Sequence, residues 1–271
     1  MSGGAVPRPR MLRITSRQNP RLRDTAQLLA SARERRKSGR CVLEGEHLVG
    51  VYAERRGAPE VLVVSEPFLE RPGVEALCRR FDERTLVVPA ALFGAIAVLP
   101  AGVGMLAVVP TPHSPASDGG AFCVLLEDLQ DPGNVGSILR SAAAAGVTHA
   151  FLSRHCAFAW APKVLRAGMG AHFHLDIHED VDLPAWAARY RARDGEVVAT
   201  VRDGGTDLYA ARLERPLALA FGNEGAGLTA ALLAASSVKV TIPMPGGVES
   251  LNAAAAAAVT LFECVRRVSG R

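Results

Sequence analysis

Three short loops in the C-terminal half constrain this chain more than any other feature. They read DPGNVGS (131–137), GNEGAG (222–227) and PMPGGVESLN (243–252), and each begins at the end of a short, almost wholly apolar run. Those runs, FCVLLED, LALAFG (217–222) and VKVTIPM (238–244), have the length and side chains of buried strands. Further strand-like runs, HAFLS, HFHLDI (172–177) and EVVATV (196–201), alternate with helical stretches at 137–146, 162–170, 185–193 and 227–236. Alternation of this kind builds a parallel sheet with helices on both faces. Ligands of open α/β sheets collect beyond the carboxyl ends of the strands, where all three loops fall. Glycine there lets the backbone approach a ligand closely. The last loop runs into six consecutive alanines, a strong helix former.

The loops exclude several ligands. No GxxxxGK[ST] phosphate cradle is present, and the first turn offers G-x-x-G without the full dinucleotide fingerprint or the acidic residue about 20 positions on. A G-x-S-x-G hydrolase elbow is absent too. His172, His174 and His178 would share one face of a strand, and the reading is a polar strand face, with no metal expected. Five cysteines (41, 78, 123, 156 and 264) are scattered without a C-x-x-C pair, which suits a reducing compartment. No apolar window reaches the roughly 18–20 residues of a membrane span. MSGGAVPRPRMLR lacks an apolar signal core, so a cytoplasmic protein is expected.

The N-terminal part reads as a separate α/β domain. Strands are expected at 61–64, 85–89 and 105–109, and helices at 20–37, 45–56 and 72–82. PTPHSPASDGG (110–120) has the composition of a linker. The expected organisation is a domain over 1–110, a linker over 111–120 and a second domain over 121–271. Charge is uneven: residues 8–40 hold eleven Arg or Lys against Asp24 and Glu34, so the rest of a +4 chain is negative. Such a density fits a binder of phosphate backbones, with a solvated helix face as the alternative.

The stretches DPGNVGSILRSAAAAGV (131–147), LALAFGNEGAGLT (217–229) and VTIPMPGGVESLNAAAAAAVTLFE (240–263) resemble, in order, the three motifs of the SpoU branch of the SPOUT superfamily. Its members are RNA ribose 2′-O-methyltransferases that use S-adenosylmethionine. ITSRQNPRLR (14–23), RERRKSGRCVLEGEHLV (33–49) and VLVVSE (61–66) are similar to the family's substrate-binding domain, which itself resembles ribosomal-protein-like kink-turn binders. The resemblance implies an α/β catalytic domain with a parallel sheet, a C-terminal deep trefoil knot, a cofactor held in the knotted loops and a site completed across a homodimer. It places catalytic roles on Asn134, Arg140, Glu224, Ser250 and Asn252, and cofactor contacts on Thr200, Gly222, Asn223, Gly225, Ile242, Met244 and Leu251. Arg17, Arg21, Arg33, Arg35, Arg36 and Lys37 become the candidate RNA contacts. Only RNA offers the 2′-hydroxyl, and a sizeable N-terminal RNA domain favours rRNA over tRNA.

Departures from the family pattern are mild: Ser141 stands where Thr is common, Gly168 where Ser is common, and HFHLD lacks the usual proline. The alternative is a non-catalytic RNA-binding or ribosome-assembly protein retaining the fold, which the intact site residues disfavour. Simpler readings stand beside these roles: Asn134 and Ser250 as helix N-caps, and Glu224 as a solvated carboxylate. For Arg140 the choice lies between a phosphate clamp and the family's general base, which a pKa above about 12 opposes.

Overall fold

The computed structural model describes residues 11–97 and 103–269. The first ten residues, and with them Arg8 and Arg10 of the basic window and most of MSGGAVPRPRMLR, lie outside the described residues. The chain forms two compact units that divide between Thr111 and Pro112.

Unit one carries strands β1 (Leu12–Arg13), β2 (Arg40–Glu44), β3 (Val61–Ser65), β4 (Thr85–Val88) and β5 (Met105–Pro110), in the sheet order β1-β4-β3-β5-β2. β1, β4 and β3 run parallel, whereas β5 is antiparallel to both β3 and β2. The helices are α1 (Pro20–Ala30), α2 (Ala32–Ser38), α3 (Glu46–Arg55), α4 (Pro72–Arg80) and α5 (Ala90–Gly94).

The single helix expected over 20–37 is two helices. Ser31 is extended, its backbone N–H ends α1 on Gln27, and its hydroxyl accepts from Glu34 N at 3.2 Å to start α2. Ser31-Ala-Arg-Glu34 is therefore half of a capping box, a start signal inside a run of good helix formers. The break changes the reading of Arg35. Only 6% exposed, it turns inward and donates to the carbonyls of Leu28 and Leu29 at 2.5 and 3.0 Å, satisfying the open end of α1. Arg35 is thus a structural clamp, and its place among the RNA-contacting candidates is withdrawn. Arg17, Arg21, Arg33, Arg36 and Lys37 are exposed. Arg40, from the same basic stretch, is held bidentately by Asp24 at 2.7 and 2.8 Å.

Unit two carries β6 (Phe122–Leu126), β7 (His149–Leu152), β8 (Asp176–His178), β9 (Glu196–Thr200), β10 (Thr206–Asp207), β11 (Leu217–Phe221) and β12 (Val238–Thr241). They form one sheet in the order β10-β12-β9-β11-β6-β7-β8, every pair parallel. Its helices are α6 (Pro132–Ala144), α7 (Pro162–Gly168), α8 (Leu183–Arg191), α9 (Ala230–Ala235) and α10 (Ala253–Ser269). β6 and β11 lie side by side at the centre, register Leu217 to Phe122, and are buried at all five positions of each. From β6 the chain moves outward through β7 and β8, then crosses to the other side of the sheet. The boundary between β6 and β11 is thus the place where winding reverses, which is where such sheets bind ligands.

Two local expectations change. HFHLDI is not a strand throughout: Ala171–Phe173 make a 3-10 turn and β8 begins only at Asp176. His172, His174 and His178 therefore share no strand face. His172 is fully buried and bonds the Ala159 carbonyl through Nε2 at 2.9 Å, which makes the neutral ring carry its proton there. Burial lowers its pKa to about 4. This ring also accounts for Gly168, since a Cβ there would lie 2.5 Å from His172 Cε1. Among the described residues no cluster of three His, Cys, Asp or Glu side chains has the arrangement of a metal site, and no helix is long and apolar enough to cross a membrane.

The second change concerns the linker-like segment. It forms no helix or strand between Pro110 and Phe122, yet it is strapped to α8. Trp186 Nε1 donates to Ser117 O, Tyr190 OH donates to Gly120 O at 2.8 Å, and Arg193 meets Asp118. A Cβ on Gly119 would strike Trp186 at 2.7 Å. Its glycines serve close packing as well as turning.

The alanine run forms the first two turns of α10, capped by Asn252, whose Oδ1 accepts from Ala254 N and Ala255 N. Ala257, Thr260, Leu261 and Cys264 make its buried stripe at helical spacing, and α10 packs on α6. Ala257 is 0% exposed, whereas Ala255 is exposed. Ala257→Leu is expected to lower the stability of unit two by about 1–3 kcal/mol through overpacking, with Ala255→Leu well below that. Urea denaturation of the two variants checks the order.

Candidate functional site

The site assembles where the loops after β6 and β11 meet the N-terminus of α6. Asp131 caps α6, accepting from Asn134 N at 2.9 Å, and Pro132 occupies the first helical turn, where a missing N–H costs nothing. The cap is therefore Asp131 and not Asn134. Asn134 lies inside the first turn, nine-tenths buried, with its side chain free for longer-range bonds.

Those bonds join three distant parts of the sequence. Glu224 accepts from Asn134 Nδ2 at 3.0 Å and from the backbone N–H groups of Asp131 and Gln130 at 3.2 and 3.4 Å. Asn252 Nδ2 in turn donates to Asn134 Oδ1 at 2.9 Å. The order of donors is forced. An ionised carboxylate only accepts, so the Asn134 amide must present its NH₂ to Glu224 and its oxygen to Asn252. Asn252 must then turn its own oxygen to the α10 N–H groups. Burial works against charge on Glu224, but hydrogen bonds from the Asn134 side chain and from the backbone N–H groups of Glu224 itself, Asp131 and Gln130 outweigh it and hold the carboxyl below its usual range. Glu224 is thus an acceptor that ties loops together.

The GNEGAG loop is braced from within. Asn223 Oδ1 accepts from Gly225 N and Ala226 N, each at 3.0 Å, and its Nδ2 donates to Asp128 O at 2.8 Å. Asn223 and Gly227 exchange backbone bonds. Gly222 has no room for a side chain, since a Cβ would lie 2.3 Å from the Gly227 backbone. Thr200 donates its hydroxyl to Ala220 O at 2.7 Å, at the carboxyl end of β9. Ile242 and Met244 are half-buried beyond β12, Leu251 is exposed, and Ser250 lies exposed just before the α10 cap. Arg140 is exposed on α6, one turn after Gly136, and its side chain bonds no described residue. The structure therefore joins Asn134, Glu224 and Asn252 directly, and it places Arg140 and Ser250 on the elements that flank them.

Several supporting residues escaped the sequence reading. Asp128, in the left-handed region at φ 53°, is held by Ser153: Asp128 N donates to the hydroxyl at 2.8 Å, and the hydroxyl donates back to Oδ1 at 2.6 Å. Glu127, at the end of β6, accepts from Thr229 N and Oγ1 at 2.7 and 2.8 Å and so fixes the start of α9. Only Asp131 carried a local signal, as Asp-Pro before a helical run.

A wholly parallel sheet with three polar, glycine-bearing loops converging near its reversal point defines a ligand-binding α/β domain. Residues 121–262 match the SpoU rRNA methylase family, and the chain belongs to that family. It is 31% identical over 256 residues to the 23S rRNA (guanosine(2553)-2′-O)-methyltransferase RlmP of Bacillus subtilis, covering 93% of this chain and 98% of that one. It is 30% identical to the 23S rRNA (uridine(2479)-2′-O)-methyltransferase of Streptomyces viridochromogenes, covering 97% and 95% of the two chains. Among solved structures, the SpoU methyltransferase AviRb of Streptomyces viridochromogenes in complex with AdoMet superposes with a TM-score of 0.80 at 28% identity, over 94% of this chain and all of the other.

Proposed function

We propose that this protein transfers the methyl group of S-adenosylmethionine to a ribose 2′-hydroxyl of ribosomal RNA, in the large subunit as the RlmP and uridine-2479 relatives do. The observation that carries the reading is the Glu224–Asn134–Asn252 hydrogen-bond chain at the sheet's reversal point, with an unpaired arginine nearly two turns along the same helix. The residues fit the cofactor. GNEGAG and IPMPGGVESLN hold only two charges, Glu224 and Glu249, both negative, and so present no cation to a sulfonium. Half-buried Ile242 and Met244, exposed Leu251 and open backbone at Gly246 and Gly247 suit a flat, apolar base with polar edges. Bound there, the cofactor would supply an electrophilic methyl carbon, its C–S bond breaking as the C–O bond to the ribose forms, with S-adenosylhomocysteine as the leaving group and the hydroxyl proton passing to water.

The chain's own residues do the positioning. Asn134, Glu224 and Asn252 hold the loops after β6, β11 and β12 in one register, so that the Thr200, Gly222, Asn223, Gly225 and Leu251 surfaces are presented together. Ser250, exposed at the loop edge, is placed to bond the target ribose. Arg140 clamps the target phosphate with its fork of donors and polarises the hydroxyl, tasks for which a fixed cation suits better than for proton abstraction. Exposed Arg17, Arg21, Arg33, Arg36 and Lys37 support an RNA-binding role for unit one, in the manner of kink-turn binders.

The chain also returns from β12 across the carboxyl ends of β9 and β11 to place Asn252 beside α6, a path that supports the C-terminal trefoil knot of the family. Exposed Val248, Leu251 and Phe262 along this segment support a homodimer; a monomer mass in light scattering would overturn that part. Cytoplasmic placement is part of the same reading. The deciding experiment incubates the protein with tritiated cofactor and an unmodified large-subunit rRNA transcript, followed by nucleoside analysis. A 2′-O-methylnucleoside is the expected product. RNA binding without transfer to any cellular RNA points instead to the non-catalytic assembly protein.

A further inference from the structure

Residues 132–175 contain no aspartate or glutamate, in a chain with 27 acids among 271 residues. The fixed cations of that stretch are Arg140, Arg154, Lys163 and Arg166. All four are exposed, and none has a side-chain hydrogen bond or ion pair with a described residue. The contrast with the rest of unit two is sharp. Arg189 and Arg193 face Asp118, Arg191 bonds Ala235 O, Arg202 pairs with Asp203, and Arg212 pairs with Glu214. Arg215 lies over the Phe122 ring, while Arg266 and Arg267 share Glu263. Outside 132–175, every described arginine of the unit has a partner, and exposed Lys239 is the one described fixed cation there without one; inside, all four stand unpaired.

The unpaired charges are fixed next to the reaction site. β7 is the direct neighbour of β6, and the turn that follows it is pinned to the loop after β6 at three points. Ser153 clasps Asp128, Cys156 Sγ donates to Leu126 O at 3.1 Å, and Ala157 N donates to Leu129 O at 2.8 Å. Between these anchors Arg154 and His155 stand out into solvent. α7 is pressed against α6 where a Cβ on Gly136 would lie 2.4 Å from Val164 O and 2.6 Å from Ala167. Lys163 and Arg166 immediately precede those two contact residues, and Arg140 follows Gly136 by one turn. The cations thus extend from the α6 side of the site along α7, on elements that contribute no carboxylate; the acids nearest in the structure, Asp128 and Glu179, are bonded to Ser153 and to Ala159 N.

We propose that Arg154, Lys163 and Arg166 form a second RNA-binding surface, on the catalytic unit itself, that holds phosphates of the strand flanking the target nucleotide. Exposed arginine and lysine without ion-pair partners, on a stretch that contributes no acid, match a polyanion. The surface complements the one on unit one: the first selects the RNA, the second sets the strand across Arg140. This rests on the RNA-methyltransferase reading above.

The test is filter binding and methyl transfer with an unmodified large-subunit rRNA transcript and the full chain carrying Arg154→Ala, Lys163→Ala and Arg166→Ala together. Affinity is expected to fall about tenfold or more at physiological salt, and the slope of log affinity against log salt to flatten by about two, at roughly 0.7–0.9 per phosphate contact. KM for RNA rises, while kcat at saturating RNA and binding of S-adenosylhomocysteine stay near wild type. Arg189→Ala with Arg193→Ala, removing charges that are already paired, is the control and is expected to change the slope little. An unchanged affinity and slope in the triple variant overturns the surface, as does an equal loss in the control. A wild-type protein that methylates no RNA overturns the parent reading instead.

Discussion

Arg140→Ala is expected to reduce kcat/KM for methyl transfer by about a hundredfold to a thousandfold, the loss typical of removing one preorganised donor to a charged oxygen. S-adenosylhomocysteine binding is expected to survive, because the hydrogen bonds that order the loops run through Glu224, Asn134 and Asn252 and none involves Arg140. Arg140→Lys separates charge from geometry. A lysine keeps the cation and loses the planar fork, so a phosphate clamp predicts partial recovery, seen mostly in KM for RNA. Single-turnover transfer beside calorimetric cofactor titration makes the distinction. Loss of cofactor affinity in Arg140→Ala, with chemistry intact at saturating cofactor, contradicts the role given to this residue.

The strands and loops that build the site were legible because they obey local rules. FCVLL and LALAF are apolar at every position, as strands buried on both faces must be, and the glycine-bearing turns mark their carboxyl ends. Local rules also explain what misled. A long run of helix formers from Pro20 to Lys37 masks Ser31, although Ser31-x-x-Glu34 is a start signal, and that break is what draws Arg35 inside. The alternation in HFHLDI suggests a strand, but Gly168 and Gly170 bracket a turn that sinks His172 into the core. The hydrogen-bond chain at the site was not derivable from spacing. Its links span 90 and 118 residues and exist only because the strand order places β11 beside β6 and returns the chain from β12. The family resemblance named its three members, and the geometry supplied what they do to one another. The Ser153 clasp on Asp128 carries no signature in sequence, since either residue alone is an ordinary turn former.

Asn134→Asp is the sharpest test of that chain, because it changes one atom's chemistry and no volume. The amide donates to Glu224 and accepts from Asn252 at once. An ionised aspartate keeps the second bond and replaces the first with two carboxylate oxygens about 3.0 Å apart. Like charges at that distance cannot both stay ionised at little cost, so the pair retains a proton to higher pH than either carboxylate alone. Glu224 in the wild type behaves in the opposite sense: its pKa is lowered, its favourable bonds are complete above the ordinary carboxylate range, and they are lost as pH falls through the lowered value. The variant is therefore expected to lose roughly 5- to 150-fold in kcat/KM at pH 8, corresponding to about 1–3 kcal/mol for an unsatisfied site, and to recover as pH falls towards 6. Protonation of the pair restores a donor between positions 134 and 224, and the wild type shows no such gain. Asn134→Ala removes both bonds and has nothing to protonate, so its loss is expected to be independent of pH over the same range. Adding Asn252→Ser to Asn134→Ala, which keeps a side-chain oxygen to cap α10, is expected to cost little more, because the link the two residues share is already gone. Parallel, pH-independent losses in Asn134→Asp and Asn134→Ala would mean that the chain serves packing alone.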